Sequence, residues 1–185
     1  MRHLPYALRF VIATAAIGAL AALVWAGTTK IVVEGEAYYS IKPSMAVATS
    51  EVASGGKYVQ IPLRRPHAAT ETDPADDGHA KYRVKAPADG NYRLWALCSW
   101  YDGCGNSFFV IVDENPATII GQDGTYQRWH WVKGPRVQLS AGWHWIKIQN
   151  REDGAKLDQF MLTTSERYVP VAKEAPTPEF IAKPQ

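Results

Sequence analysis

An all-β sandwich is the fold class that this sequence predicts, and three observations carry that prediction. Short β-rich or period-two segments recur at Lys30–Glu34, Tyr58–Ile61, Lys81–Lys85, Tyr92–Cys98, Phe108–Asp113, Arg128–Val132 and Arg136–Leu139. Turn signals stand between them, at Ser54-Gly55-Gly56, Ala88-Asp89-Gly90, Asp123-Gly124 and Ser140-Ala141-Gly142. No amphipathic helical pattern follows residue 30, which excludes a doubly wound α/β fold. The 185 residues suffice for one globular unit with a core. With 20 Lys and Arg against 18 Asp and Glu, no strong field is available to gather nucleic acid.

Ahead of the first strand, the uncharged run Phe10–Thr29 is 20 residues long. At about 1.5 Å per residue it matches the roughly 30 Å hydrocarbon core of a bilayer. Arg2 and Arg9 precede it, so the positive-inside tendency leaves the N-terminus in the cytoplasm and sends the rest across. Val24-Trp25-Ala26 also fits a signal-peptide cleavage site, and the sequence leaves both readings open. The expectation adopted is a signal anchor of a bacterial inner membrane over residues 1–29, with a periplasmic or extracellular sandwich over 30–169 and a tail over 170–185. Ala15, Gly18, Ala19, Ala22 and Ala26 include small residues at i, i+4 spacing, which lets helices pack closely in lipid.

Within the domain, the Pro-, Asp-, Ala- and Thr-rich stretch from Arg64 to His79 reads as a long surface loop. Cys98 and Cys104 flank the turn former Asp102-Gly103, and in an oxidising compartment the expectation is a disulfide, with two free thiols as the alternative. Their spacing fits neither haem attachment nor a zinc knuckle. From Pro170 onward, prolines at 170, 176, 178 and 184 preclude a helix or a central strand, so the tail reads as extended, either a disordered end or an arm ordering on a partner.

The last two strands form the clearest pattern, Trp143–Gln149 and Leu157–Thr163 around an Asp153-Gly154 turn, and they read as a β-hairpin. His144, Ile146 and Ile148 share one face; Trp143, Trp145, Lys147 and Gln149 share the other. If the first set faces the core, two indoles are exposed, which marks a partner surface unless a loop or the tail covers them. The acidic residues from Arg151 to Asp158 sit on a turn open to water, where nothing raises a pKa for glycosidase chemistry. With no nucleophile elbow, His-rich metal site, phosphate loop or haem motif, the expectation is a non-catalytic protein.

Several of these motifs carry a family resemblance: Val33-Glu34-Gly35-Glu36-Ala37, Ser54-Gly55-Gly56-Lys57-Tyr58-Val59, Ala86-Pro87-Ala88-Asp89-Gly90-Asn91-Tyr92, Asn106 through Asp113, and Leu139 through Asp158. Over about Ile31 to Pro170 the chain resembles the galactose-binding-like jelly roll of carbohydrate-binding modules of the family 6 and 35 group. That resemblance implies a structural calcium ion held by Glu34, Glu36 and Asp158, hard oxygen ligands of the kind calcium takes. It also implies sugar recognition by loop aromatics and polar side chains, for which the candidates are Trp100, Tyr101, Trp129, Trp131, Asn150 and Asp153.

Two functions follow as expectations. The first is a single-span, non-catalytic accessory subunit whose sandwich docks through Trp143 and Trp145 on a larger membrane complex of respiratory, photosynthetic or secretion type, with other integral membrane subunits as partners. The alternative is a membrane-tethered protein that binds oligosaccharide from cell-wall or exogenous polysaccharide.

Overall fold

Two antiparallel sheets face one another in the computed structural model, which describes residues 27–63 and 78–184. The first sheet holds β1 (Lys30–Glu34), β3 (Ala46–Thr49), β4 (Lys57–Gln60), β6 (Gly90–Ser99), β9 (His130–Leu139) and β11 (Lys156–Thr163). The second has the order β2 (Ser40–Lys42), β5 (His79–Ala86), β10 (Gly142–Gln149), β7 (Ser107–Val112) and β8 (Thr118–Gly121). Alternation explains which side chains meet between them: Tyr92, Leu94, Ala96 and Cys98 of β6 face Tyr82 and Val84 of β5 and Ile146 and Ile148 of β10 in one core. Tyr82 sets its ring edge-on to Phe160 at 4.9 Å and donates its hydroxyl to the Gly35 carbonyl at 2.7 Å, so a buried phenol is satisfied.

β9 joins two segments that the sequence separates, because a bulge opposite Arg93–Trp95 absorbs Gly134-Pro135. The Gly134 carbonyl accepts from Arg93 Nη1 at 2.8 Å, and a side chain there would press within 2.8 Å of Leu94. The short strands β2, β3 and β8 have no counterpart in the sequence reading. Residues 1–26, which contain Ala15, Gly18, Ala19, Ala22 and Ala26, and residues 64–77 of the expected surface loop lie outside the described residues. Among the described residues, no helix is long and apolar enough to cross a membrane.

The expected terminal hairpin does not form, although both strands and their alternation stand as read. β10 pairs with β5 and β7 in the second sheet, while β11 pairs with β6, β1 and β4 in the first. Residues 150–155 are therefore an arch that carries the chain from one sheet to the other. Gly154, at φ +80, donates its N–H to the Ile61 carbonyl at 2.7 Å, and Asn150 donates to the Gly78 carbonyl at 2.8 Å and to Ser44 Oγ at 2.8 Å. Glu152 and Asp153 are only 3 % and 2 % exposed, which corrects the expectation of a wet turn. Glu152 Oε2 accepts from the Asn106 N–H at 2.9 Å and Ser107 Oγ at 2.7 Å, and its other oxygen pairs with Arg151.

Cysteine pairing is corrected too: both residues are free thiols. Cys98 points into the sandwich core, where burial pushes its thiol pKa up, while Cys104 sits on the following loop. That loop is held instead by Asp102 Oδ1, which accepts the N–H groups of Cys104 and Gly105 at 2.8 and 3.0 Å.

The C-terminal segment packs on its own domain. Trp131 Nε1 donates to the Ala172 carbonyl at 2.8 Å, and Gln159 exchanges two hydrogen bonds with the Glu174 backbone at 2.9 and 3.0 Å. Thr177 pairs with the free edge of β1 at Val32, and Ile181 bridges Val84 on β5, so the tail closes one side between the two sheets. Met161 and Trp95, on the outer face of the first sheet, are buried with Val32 beside Tyr168. This covering lets β11 be buried on both faces.

Truncation of the arch carboxylate tests this account. Glu152→Ala leaves Arg151 and the buried Asn106 amide without their carboxylate partner, and a loss of about 3–5 kcal/mol is expected in urea unfolding. An unchanged midpoint would show that the arch does not depend on the pair.

Candidate functional site: an aromatic cleft at the loop end

At the end of the sandwich where β6 finishes and β9 and β11 begin, the loops leave a cleft of about 400 Å³. Tyr58 of β4 and Trp129 of the β8–β9 loop form one wall, ring centroids 5.5 Å apart and nearly perpendicular. Tyr101, 38 % exposed, stands on the 100–106 loop opposite. Gln127, Arg128 and Lys156 supply polar heads, with Lys156 Nζ 5.8 Å from the Tyr58 ring centroid, and none of the lining side chains is acidic. Beyond Arg128 and Trp129 a second groove of about 420 Å³ runs past Trp131 to Pro170–Lys173 of the tail.

The β8–β9 loop owes its shape to Asp123. Its carboxylate accepts from Trp100 Nε1 at 3.3 Å and from the Thr125 N–H at 2.9 Å, and it pairs with His130 Nε2 at 2.9 Å. Burial alone would raise this carboxyl's pKa, but the bonds from His130, Thr125 and Trp100 hold it below the usual carboxylate value. Gln122 and Gln127 flank the segment with φ of 61° and 56°, left-handed conformations that such residues adopt only where their surroundings impose them. The Gln127 N–H is tied to the Trp100 carbonyl at 2.7 Å.

Of the sequence candidates, the fold brings Tyr101 and Trp129 together in the cleft. Trp100 is wholly buried and forms its floor, packed at 5.5 Å on Phe108. Trp131 lies on the adjoining groove, bonded to the tail. Asn150 and Asp153 are buried in the arch and do not line the cleft. Trp143 and Trp145 are on the outer face of the second sheet: Trp143 is 45 % exposed, whereas Trp145 is packed by Tyr39 at 5.1 Å and by Lys81 Nζ at 4.2 Å. Tyr58, Gln127, Arg128 and Lys156 were missed. Only Tyr58 had a signal, as an aromatic at the start of a strand that follows a glycine turn. His144 is buried, its ring nitrogens 2.8 Å from Asp113 Oδ2 and the Ser140 carbonyl, as a core histidine requires.

Glu34, Glu36 and Asp158 gather beside the first strand. Both Asp158 oxygens accept the Ser54 N–H, at 2.9 and 3.0 Å, and Ser54 Oγ donates to Glu34 Oε1 at 2.8 Å. Glu34 Oε2 and Glu36 Oε2 are buried without a hydrogen-bond partner. Burial, with Glu34 nearby, carries the Asp158 carboxyl up to about 6; burial, with Glu34 and Asp158 nearby, also raises Glu36. Among the described residues, no set of three or more His, Cys, Asp and Glu side chains is disposed to hold a metal ion as it stands.

No family model matches the chain. A curated relative, the uncharacterized protein P23 of Formosa agariphila, is 24 % identical over 119 residues, covering 50 % of this chain and 26 % of that protein. Among solved structures, a family 35 carbohydrate-binding module from Clostridium thermocellum superposes with a TM-score of 0.54 at 16 % identity, covering 72 % of this chain and 97 % of the module. A carbohydrate-binding module of Cellvibrio mixtus lichenase 5A, in complex with cellotriose, superposes at 0.52 with 19 % identity, covering 73 % and 97 %. The Podospora anserina GH26-CBM35 β-(1,4)-mannanase gives 0.58 at 17 % identity, covering 76 % of this chain but 29 % of the enzyme. The sandwich therefore has the fold of carbohydrate-binding modules.

Restraint by Asp123 is testable. Asp123→Ala frees Trp100 Nε1, the Thr125 amide and His130 together, and about 1–3 kcal/mol of stability is expected to go. Hydrogen exchange should quicken across residues 122–129 with β1 and β11 unchanged; unaltered protection there would contradict this role.

Proposed function

We propose that the protein is a non-catalytic carbohydrate-binding protein that takes a sugar ring into the loop-end cleft, against Trp129 and Tyr101. The observation that supports this most is the convergence of Tyr58, Tyr101 and Trp129 around an open cleft on a sandwich of carbohydrate-binding-module type. Aromatic faces stack on the C–H surface of a pyranose, while Gln127, Arg128 and Lys156 reach its hydroxyls. Two cations and no carboxylate line the site, which favours a glycan bearing uronate or sulfate. Glu152 and Asp153 are buried away from the cleft, so they do not supply a glycosidase pair.

This is the second of the two sequence readings, and the likeness to carbohydrate-binding modules supports it over docking on a membrane complex. Trp145, one of the two indoles on which docking rested, is half-buried against its own Tyr39 and Lys81. A glycan array probed with the full chain should show binding concentrated on acidic oligosaccharides. Trp129→Ala should weaken it by about 2 kcal/mol or more at unchanged melting temperature. A blank array overturns the reading.

A structural calcium ion belongs to the same proposal. Glu34 and Glu36 would hold it through the two unpartnered oxygens, with Asp158 turning toward it, and the ion would fasten β1 to β11. Without metal, carboxyls with raised folded pKa values stabilise the fold below the unfolded carboxylate value of about 4, and that contribution is lost as pH rises through about 6. Chelator-treated protein is therefore expected to melt higher at about pH 5 than at about pH 7.5, and calcium should raise the neutral melting temperature in wild type but not in Glu36→Gln. Equal melting with and without calcium removes the ion from the account.

A further inference from the structure

The two ends of the sandwich carry different chemistry. β11 starts at the cleft with Lys156 and ends at Thr163, which pairs with Lys30, so the chain enters β1 at the end opposite the cleft. Gly27, Thr28 and Thr29 lead directly into that strand from the uncharged run Phe10–Thr29, with no linker between. Trp143 lies at this same basal end, one residue past the Ala86–Gly142 pair and opposite Lys85. Along the outer face of the second sheet, cations and indoles alternate. Lys81 Nζ sits 4.2 Å from the Trp145 ring, the Arg83 guanidinium lies 5.5 Å from both indoles, and exposed Lys85 stands across from Trp143. Of the acidic groups at this end, Asp89 accepts the Ala141 N–H at 2.6 Å, Glu166 pairs with Arg136, and Asp113 accepts the Trp145 N–H at 2.8 Å and pairs with His144. Exposed Glu114 lies beside Lys81, Lys147 and Trp145, away from Lys85 and Trp143.

We infer that the basal corner formed by Trp143, Lys85 and Arg83 rests on the anionic headgroups of a bilayer. An indole suits the boundary between headgroups and acyl chains, and Lys and Arg beside it meet phosphate. The preceding apolar run makes that bilayer the nearest large surface, and the charge of the corner matches it. The contact orients the domain so that the cleft projects away from the membrane by about 25 Å, the length of an eight-residue strand. This rests on the membrane reading of Phe10–Thr29 and is independent of what the cleft binds.

The test uses the full chain reconstituted in nanodiscs of phosphatidylcholine, with or without phosphatidylglycerol, and reads Trp143 as the fluorescence that Trp143→Phe removes. In anionic discs with brominated acyl chains, this component is expected to be quenched and to lose access to aqueous acrylamide. Lys85→Gln should lower the docked-to-free ratio about fivefold, the effect of one basic residue at an anionic surface. Trp143 open to acrylamide in both discs overturns the inference, as does equal protection in the two compositions. A chain that separates from the discs with its leader removed overturns it as well. Glycan binding is measured apart from all of these, so either reading can fail alone.

Discussion

The arch from Asn150 to Ala155 is the constraint on which the rest of the molecule depends. It is where the chain leaves the second sheet and enters the first, and it crosses under the loops that shape the cleft. A Cβ on Gly154 would meet Tyr101 Cβ at 2.7 Å, and one on Gly105 would meet the Asp153 carbonyl at 2.4 Å. Gly105 thus lets its loop lie against the arch backbone, and Gly154 leaves room for the Tyr101 side chain. The Glu152 carboxylate is bonded to Asn106 at the end of that loop and to Ser107, which follows it, so sheet crossing and Tyr101 placement are one piece of structure.

A second dependence runs through the tail. β11 has a core face of Leu157, Phe160 and Leu162 and an outer face of Gln159 and Met161 that would meet water on an ordinary sandwich. Residues 168–177 cover that outer face, and Lys30, Tyr168 and Glu174 fasten the cover through a charged hydrogen-bonded cluster. Extended proline-rich chain suits this role because it lies flat on a sheet and needs few backbone partners of its own.

Period-two alternation made the long strands and their inward faces legible, because a buried face must be apolar whatever the strand pairs with. Pairing itself was not legible for β10 and β11. An Asp-Gly turn of positive φ serves a sheet-to-sheet arch as well as a hairpin, and local sequence does not distinguish them. β2, β3 and β8 escaped notice as strands of three or four residues. Tail burial was hidden because Gln159 pairs with the Glu174 backbone and Thr177 with the Val32 backbone, pairings between residues 15 or more apart. At the site, Trp129 and Tyr101 were visible as loop aromatics, whereas Trp100, adjacent to Tyr101 in sequence, turns inward to Asp123. Gln127, Arg128 and Lys156 acquire their meaning only from the convergence of three loops.

A titration of the full chain with an acidic oligosaccharide, followed through the seven tryptophan indole N–H resonances, tests the central claim most directly. The cleft account predicts a saturable shift of Trp129, a smaller response from Trp100 beneath it, and a still Trp143. Movement confined to Trp143 and Trp145, or no movement at any ratio, would contradict it.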